Sequence, residues 1–498
     1  MEAKGPSLMF RCVLALLLMV GFYLFAVGIA TGLLYIPYAM WKYAERLQIH
    51  LAFVCVTSGA IILWSVLPRF EHFTPPGPEL KPAEHPELFK ELKATAEAMG
   101  EAMPVEVYAL PEVNAWVCNR GGIMGFGSRR VMGLGLPLLK VLNVSELRAV
   151  LAHEFGHYHG GETALAPWVY KTREAISRTL DGLPGGIIHS LFLLYGKLFL
   201  RLTHAVSRQQ EYAADALAAQ LASPEALING LQKIHRVGMA FDVYWSSEVA
   251  PVVSSGFRPP IEEGFTCFMD AAYVKERTSA LLKEELETGK QDPYDTHPNM
   301  KDRLAALQAY SGVKAALDEA PALALVTQVQ ELETNMLLAL LPPDKPLVPI
   351  TWAEAMERVY LPAWIEQASH YAAALAGIRS SQLPELAKTP QKLVDAFAPH
   401  FPLGTEEESK VELIANSLGS ILTILLHRKG VPVTCVMGEP ISVRIGEDVL
   451  LPFSLMDDLH QEKLTTDQWL KQCQVAGITE LDLGEQAKQW AGEGRKNG

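Results

Sequence analysis

The sequence predicts an α+β fold in three parts: an N-terminal transmembrane helical hairpin, a mostly helical domain carrying a small twisted sheet, and a C-terminal accessory α+β domain. Three observations lead there. Residues 12–41 hold no charged side chain, a run of 30 where a bilayer-crossing helix needs about 20. Short glycine-punctuated apolar segments between 105 and 134 give way to long stretches with helical periodicity. A chain of 498 residues also exceeds one compact core, so two or three folded units are expected.

After the polar turn Lys42-Tyr43-Ala44-Glu45-Arg46, a second uncharged run of 18 covers residues 51–68. Two spans make a hairpin, which returns the chain to the side of its amino terminus. A cleaved signal peptide is the competing reading of the first run. Its apolar core would be about twice the usual 7–15 residues, and a second span follows it. Lys4 and Arg11 precede the first span, Lys42 and Arg46 sit in the turn, and Arg69 follows the second. With basic residues so nearly balanced, the positive-inside rule does not choose an orientation.

Beyond the hairpin, Thr74-Pro75-Pro76-Gly77-Pro78 reads as a stiff linker. An amphipathic helix is expected over 86–99, then strands over 105–110, 115–119, 123–126 and 131–134. A helix capped by Ser145 follows, with Leu147, Val150, Leu151 and Phe155 on its apolar face. The apolar stretch 187–200 is interrupted by Lys197 and followed by Arg201. That suits a helix dipping into the bilayer surface with both cations snorkelling; a buried core helix is the alternative. Leu341-Pro342-Pro343-Asp344-Lys345-Pro346 marks a second break. A helical pattern then runs to about His427, followed by strands over 431–437, 441–445 and 448–452 and a charged tail from Gly492 expected to fray. The resulting division is 1–73 hairpin, 74–312 main domain, 313–346 helical connector and linker, and 347–498 accessory domain, which shows no catalytic motif.

The chemistry concentrates in His153-Glu154-Phe155-Gly156-His157, an H-E-x-x-H pentapeptide in a helical pattern. Residues four apart stack on one helix face, so both imidazoles project together, as two ligands of a catalytic zinc would. Glu154 lies beside the first ligand, where its carboxylate can act as general base toward the attacking water. His159 falls about 200° around the helix from His157 and is not expected to join the same ion. A third ligand is available downstream in Ser207-Arg208-Gln209-Gln210-Glu211-Tyr212-Ala213-Ala214-Asp215, closed by Ser223-Pro224. Glu211 and Asp215 also share a face. One carboxylate can complete a His2Glu set while the other accepts a ring N–H from a ligand histidine, and spacing alone allows either assignment.

These motifs resemble the HtpX-like and CAAX-prenyl-protease-type gluzincin family of zinc metallopeptidases, over roughly residues 75–312. Asn114-Ala115-Trp116 is similar to that family's Asn-Ala edge strand, and Thr296-His297-Pro298 with Arg303 is similar to its late His-Pro…Arg motif. The resemblance implies a zincin-type catalytic domain with one Zn2+ per chain. It makes His153, His157 and Glu211 the ligands, Glu154 the catalytic base and Asp215 the partner behind a ligand. His297 would stabilise the oxyanion, and Asn114, Ala115 and Arg303 would serve substrate binding.

The expected function is a membrane-anchored, zinc-dependent endopeptidase acting in protein quality control. Its partners would be polypeptide substrates, misfolded or membrane proteins, together with the lipid bilayer. The expected location is the cell inner membrane, with two spans and a cytoplasmic catalytic domain, the last by resemblance. A net charge of −13 and a pI near 5.6, without a basic stripe, speak against nucleic acid. Six scattered cysteines in so long a chain argue against a disulfide scaffold. Prenyl-protein processing is the rival within the enzyme class, disfavoured because two spans do not enclose a large helical chamber. A metal-stabilised client-binding scaffold or holdase is the rival outside it; a purely structural site has no use for Glu154.

Overall fold

A computed structural model of the protein describes residues 8–43, 48–67, 69–71, 73–123, 127–158, 166–289, 297–310, 317–341, 346–401 and 404–494. Residues 44–46 of the polar turn, 124–126 of an expected strand, His159, Thr296 and 342–345 of the proline-rich break lie outside the described residues. The chain forms two compact units, residues 1–239 with 279–343, and residues 240–278 with 344–498. The segment 240–278, placed by sequence in the main domain, is grouped with the C-terminal residues.

In the first unit the hairpin consists of α1 (Leu8–Tyr43) and α2 (Ile49–Val66). The two pack closely where Gly59 meets α1: a Cβ there would lie 3.0 Å from Leu34 and 3.2 Å from the Ala30 carbonyl. Thr31, Thr57 and Ser65 turn their hydroxyls onto carbonyls four residues back, which satisfies polar groups inside apolar helices. Leu17, Leu24, Phe53 and Val54 face outward, while Tyr38, Trp41 and Tyr43 are exposed near the end of α1 and Trp64 near the end of α2. Among the described residues three helices are long and apolar enough to cross a membrane: Val13–Tyr43, Ile49–Val66 and Ser409–Arg428.

The expected helix 86–99 is α3 (Pro86–Met99), ended by Gly100 at φ 68°. The strands are β1 (Phe70–Glu71), β2 (Glu79–Leu80), β3 (Glu106–Leu110), β4 (Ala115–Arg120), β5 (Gly122–Ile123) and β6 (Arg129–Gly135). Four of them form one sheet in the order β2-β3-β6-β4, with β3 and β6 parallel and the other pairs antiparallel. β4 is thus an edge strand. The linker's last residue joins this sheet, the Pro78 carbonyl accepting from the Ala109 N–H at 2.9 Å.

After the short α4 (Leu136–Val141), α5 (Val144–Gly156) carries the H-E-x-x-H run. Its N-cap is Asn143, not Ser145: Asn143 Oδ1 accepts from the Glu146 N–H at 2.8 Å and Glu146 returns the bond, a full capping box. The Ser145 hydroxyl instead accepts from the Asp318 N–H at 2.7 Å. Arg148 ties α5 to α3 through Glu91 at 2.9 Å. Next come α6 (Ala166–Gly182), α7 (Ile187–Leu221) and α8 (Pro224–Tyr244). The apolar stretch from 187 and the carboxylate segment 207–215 are one continuous helix of 35 residues.

The first turns of α7 pack on the hairpin. Phe192 meets Phe22 edge-on at 6.2 Å, Tyr195 stacks on Phe25 at 5.3 Å, and the Tyr195 hydroxyl donates to the Leu18 carbonyl at 2.6 Å. Arg178 of α6 donates twice to the Ser65 carbonyl, at 3.2 and 3.0 Å. Ile187, Leu191, Leu194 and Leu198 remain exposed on the other side of α7.

The second unit is built on the helix Glu407–Arg428, whose Leu418, Ile421, Leu422, Ile424, Leu425 and Leu426 are all buried in its core. A helix with apolar burial on so many sides is a core element. The three expected strands form an antiparallel sheet of Val433–Thr434, Ser442–Ile445 and Asp448–Leu450, turning at Gly446 with φ 65°. Of the tail from Gly492, residues 492–494 end the helix Leu483–Gly494, and residues 495–498 lie outside the described residues.

α5 and α7 approach at Gly156, where an added Cβ would sit 3.2 Å from Ala214 Cα and 3.3 Å from Ala214 Cβ. Gly156→Ala sets a helix-propensity gain against this tight contact and should change stability by less than about 1 kcal/mol. Gly156→Val overpacks it and should cost about 1–3 kcal/mol, read as a lowered thermal midpoint. In the second unit Cys473 is fully buried, and burial pushes its thiol up to about 12, whereas Cys267 is exposed. Iodoacetamide at pH 8 should label Cys267 in the folded protein and reach Cys473 only after denaturation.

Candidate metal centre and catalytic cleft

The capping box fixes where α5 begins, and three turns later His153, Glu154 and His157 emerge at its carboxyl end. α7 lies against that end and presents Glu211 and Asp215 from successive turns. Glu211 Oε2 is 3.4 Å from His153 Nε2, and Glu211 Oε1 is 3.6 Å from His157 Nε2. Ligands of a tetrahedral ion with bonds of roughly 2.0–2.1 Å stand about 3.3 Å apart, so these separations fit. One donor atom from each of His153, His157 and Glu211 falls within 4.8 Å of the others, the one such cluster among the described residues that could hold a metal ion. Glu211 Oε2 is buried among nitrogen donors, with His153 Nε2 at 3.4 Å and His297 Nδ1 at 3.2 Å.

Behind the cluster the charges interlock. His153 Nδ1 lies 3.0 Å from Asp215 Oδ1, which orients the ring so that Nε2 faces Glu211. Asp215 accepts a bidentate pair from Arg303, Nε at 2.9 Å and Nη2 at 2.7 Å. All three side chains are buried. Burial alone would raise the Asp215 carboxyl, but His153 and Arg303 outweigh it and hold it below its ordinary value. Burial also opposes ionisation of Glu211, and the hydrogen bonds from His153 and His297 pull it well down. At Glu154 burial wins: with Glu211 adding to it, it pushes the carboxyl up to about 7 against the opposing charges of His153, His297 and Arg303.

The other sequence-predicted residues fall around this centre in different ways. His297 is exposed, yet its Nδ1 reaches Glu211 Oε2 at 3.2 Å. Arg303 is buried with its guanidinium on Asp215 and Nη1 3.7 Å from Glu211, so it braces the carboxylates instead of facing a substrate. Asn114 and Ala115 open the edge strand β4, beside α5. The Asn114 carbonyl is already taken by the Gly135 N–H at 2.9 Å.

One residue at the site was not singled out in the sequence. Tyr158, just past the second histidine, donates its hydroxyl to the Val117 carbonyl of β4 at 2.8 Å. The Arg130 guanidinium lies 4.2 Å from its ring centroid and is itself held by Glu101 at 3.0 Å and the Ala102 carbonyl at 3.0 Å. Burial pushes the phenol above its usual range, which keeps it a donor. A tyrosine after a metal motif carries no sequence signal of its own; the contact exists because β4 runs past the end of α5.

A family model described as Peptidase family M48 matches residues 82–311. Protease HtpX of Idiomarina loihiensis is 29% identical over 168 residues, 30% of this chain and 57% of that protein. Protease HtpX of Stutzerimonas stutzeri is 26% identical over 223 residues, 40% of this chain and 66% of that protein. Protease HtpX of Nitrosococcus oceani is 29% identical over 220 residues, 40% of this chain and 70% of that protein. The first two matches thus span less than two thirds of the relatives' own length. No solved structure matches the chain. The matched segment contains α5, α7, the edge strand β4 and Arg303, and over it the chain is similar to peptidase family M48 and to its HtpX proteases.

Proposed function

We propose that the protein is a membrane-tethered zinc endopeptidase in which His153, His157 and Glu211 hold the ion and Glu154 is the general base. The observation that carries this reading is the buried His-His-Glu cluster with spacing that suits a tetrahedral ion, with the Glu154 carboxyl on the residue that follows the first histidine. A bound zinc would polarise the scissile carbonyl and make water acidic enough to deprotonate at neutral pH. Glu154 accepts the proton as the water oxygen bonds to the carbonyl carbon, then returns it to the amine nitrogen as the C–N bond breaks. His297 donates a ring N–H to the oxygen that becomes negative. Asp215 fixes the tautomer of His153, and Arg303 keeps Asp215 ionised.

Substrate lies extended along β4, where Ala115 offers an N–H and a C=O to a peptide added at the sheet edge. Backbone pairing makes selectivity for side chains modest, which suits unfolded or membrane-derived polypeptides in quality control. α1 and α2 cross the inner membrane, and the exposed Ile187, Leu191, Leu194 and Leu198 of α7 meet its cytoplasmic surface. The catalytic domain then faces the cytoplasm, with residues 74–312 as the peptidase and 347–498 as an accessory domain.

Glu154→Gln removes the base without touching a ligand. Full-length protein in detergent should keep about one zinc per chain while cleavage of unfolded casein falls by at least roughly 10²–10⁴-fold. Near-normal proteolysis by this variant would overturn the role of Glu154. The two carboxylates of α7 are separated by zinc content across a chelator titration. Glu211→Ala should lose the metal outright, and Asp215→Asn should weaken it about 10- to 100-fold. Zinc lost with Asp215→Asn but kept with Glu211→Ala would reverse the ligand assignment.

A further inference from the structure

Alternate residues of β4 point their backbone groups to opposite sides. The Asn114 carbonyl bonds Gly135 of β6, so Asn114, Trp116 and Cys118 face inward, and Ala115, Val117 and Asn119 face the open edge. The Val117 carbonyl would therefore be the second acceptor, after that of Ala115, for a peptide laid along this edge. It already accepts the Tyr158 hydroxyl at 2.8 Å. Tyr158 does not lie there loosely. Arg130, opposite Asn119 across the β4–β6 pair, covers its ring and is anchored in turn by Glu101 and Ala102.

From this geometry we infer that Tyr158 is a specificity-determining residue that ends the substrate's backbone ladder at Ala115. It occupies both the acceptor and the space that a longer extended segment would use. The inference rests on β4 being the substrate strand. Its chemical consequence is a definite preference. The peptide residue paired with Ala115 needs a backbone N–H, whereas the residue two positions along, facing Val117, needs none. Proline or an N-methylated residue is accepted at that second position, and a chain emerging from a turn or a membrane segment fits without being extended on that side.

An N-methyl scan of a ten-residue peptide reads this directly on the full-length protein in detergent. In the wild type one methylated position should lower kcat/KM by about 3- to 10-fold, and the position two residues away on the Val117 side should have no effect. In Tyr158→Ala that second position should become sensitive by a similar factor, and KM for the unmethylated peptide should fall while kcat stays within about twofold. Where Tyr158→Ala loses stability or zinc, Tyr158→Phe, which removes only the hydroxyl, should shift the pattern in the same direction. Equal sensitivity at both positions in the wild type, or the same pattern in wild type and variants, overturns the inference. The same peptides are also followed by fluorescence anisotropy on zinc-loaded Glu154→Gln. Absence of cleavage in the wild type would count against the peptidase reading, while the binding pattern still decides the role of Tyr158.

Discussion

The buried Arg303–Asp215–His153 chain is the interaction on which the site depends. Taking charges out of water costs several kcal/mol per ion, and a buried pair is tolerated only when its hydrogen bonds are met. Here the guanidinium meets both oxygens of Asp215, and Asp215 meets the ring nitrogen that does not face the cluster. Removing one member leaves the others uncompensated, a loss of about 3–5 kcal/mol in typical proteins. The arrangement therefore joins three distant stretches of sequence into a unit that fixes the direction of one imidazole. Glu154, one residue further on, feels the charges of His153 and Arg303 as well, and burial still raises its proton affinity.

Much of this was legible in the sequence because it is periodic. A spacing of four on a helix puts His153 with His157 and Glu211 with Asp215, whatever the tertiary fold. The uncharged runs, the amphipathic helix 86–99 and the strands near 106, 115 and 131 likewise follow from local pattern, and the structure has them within a few residues. The choice of Glu211 over Asp215 as the group facing both imidazoles is a different matter. Spacing leaves it open, and the geometry turns on how α7 is rotated against α5.

What sequence could not show are contacts made across the fold. Asn143 and Ser145 are both good capping residues, and the backbone of residues 318–320, against which the helix start docks, decides between them. The role of Tyr158 needs the position of β4, and the bracing role of Arg303 needs the helix that carries it to lie against α7. Residues 240–278 have no motif that ties them to the C-terminal unit; only packing does. In each case the missing information is long-range, and local propensity carries none of it.

The continuity of α7 has a geometric consequence. One face of it packs on the hairpin at Phe192 and Phe199, and twelve residues after Phe199 the same helix delivers Glu211. Each residue advances a helix by about 100° and 1.5 Å. A single insertion or deletion between these two points would swing the carboxylate by that angle away from the imidazoles while the hairpin contacts stayed in place. Length changes of seven or eleven residues, which return to within about 20° of the starting direction, are the ones this segment can absorb rotationally. Even those would slide the carboxylate about 10–17 Å along the axis. The interval between the hairpin contact and Glu211 is thus a ruler whose length admits no indel, and drift there is confined to substitution.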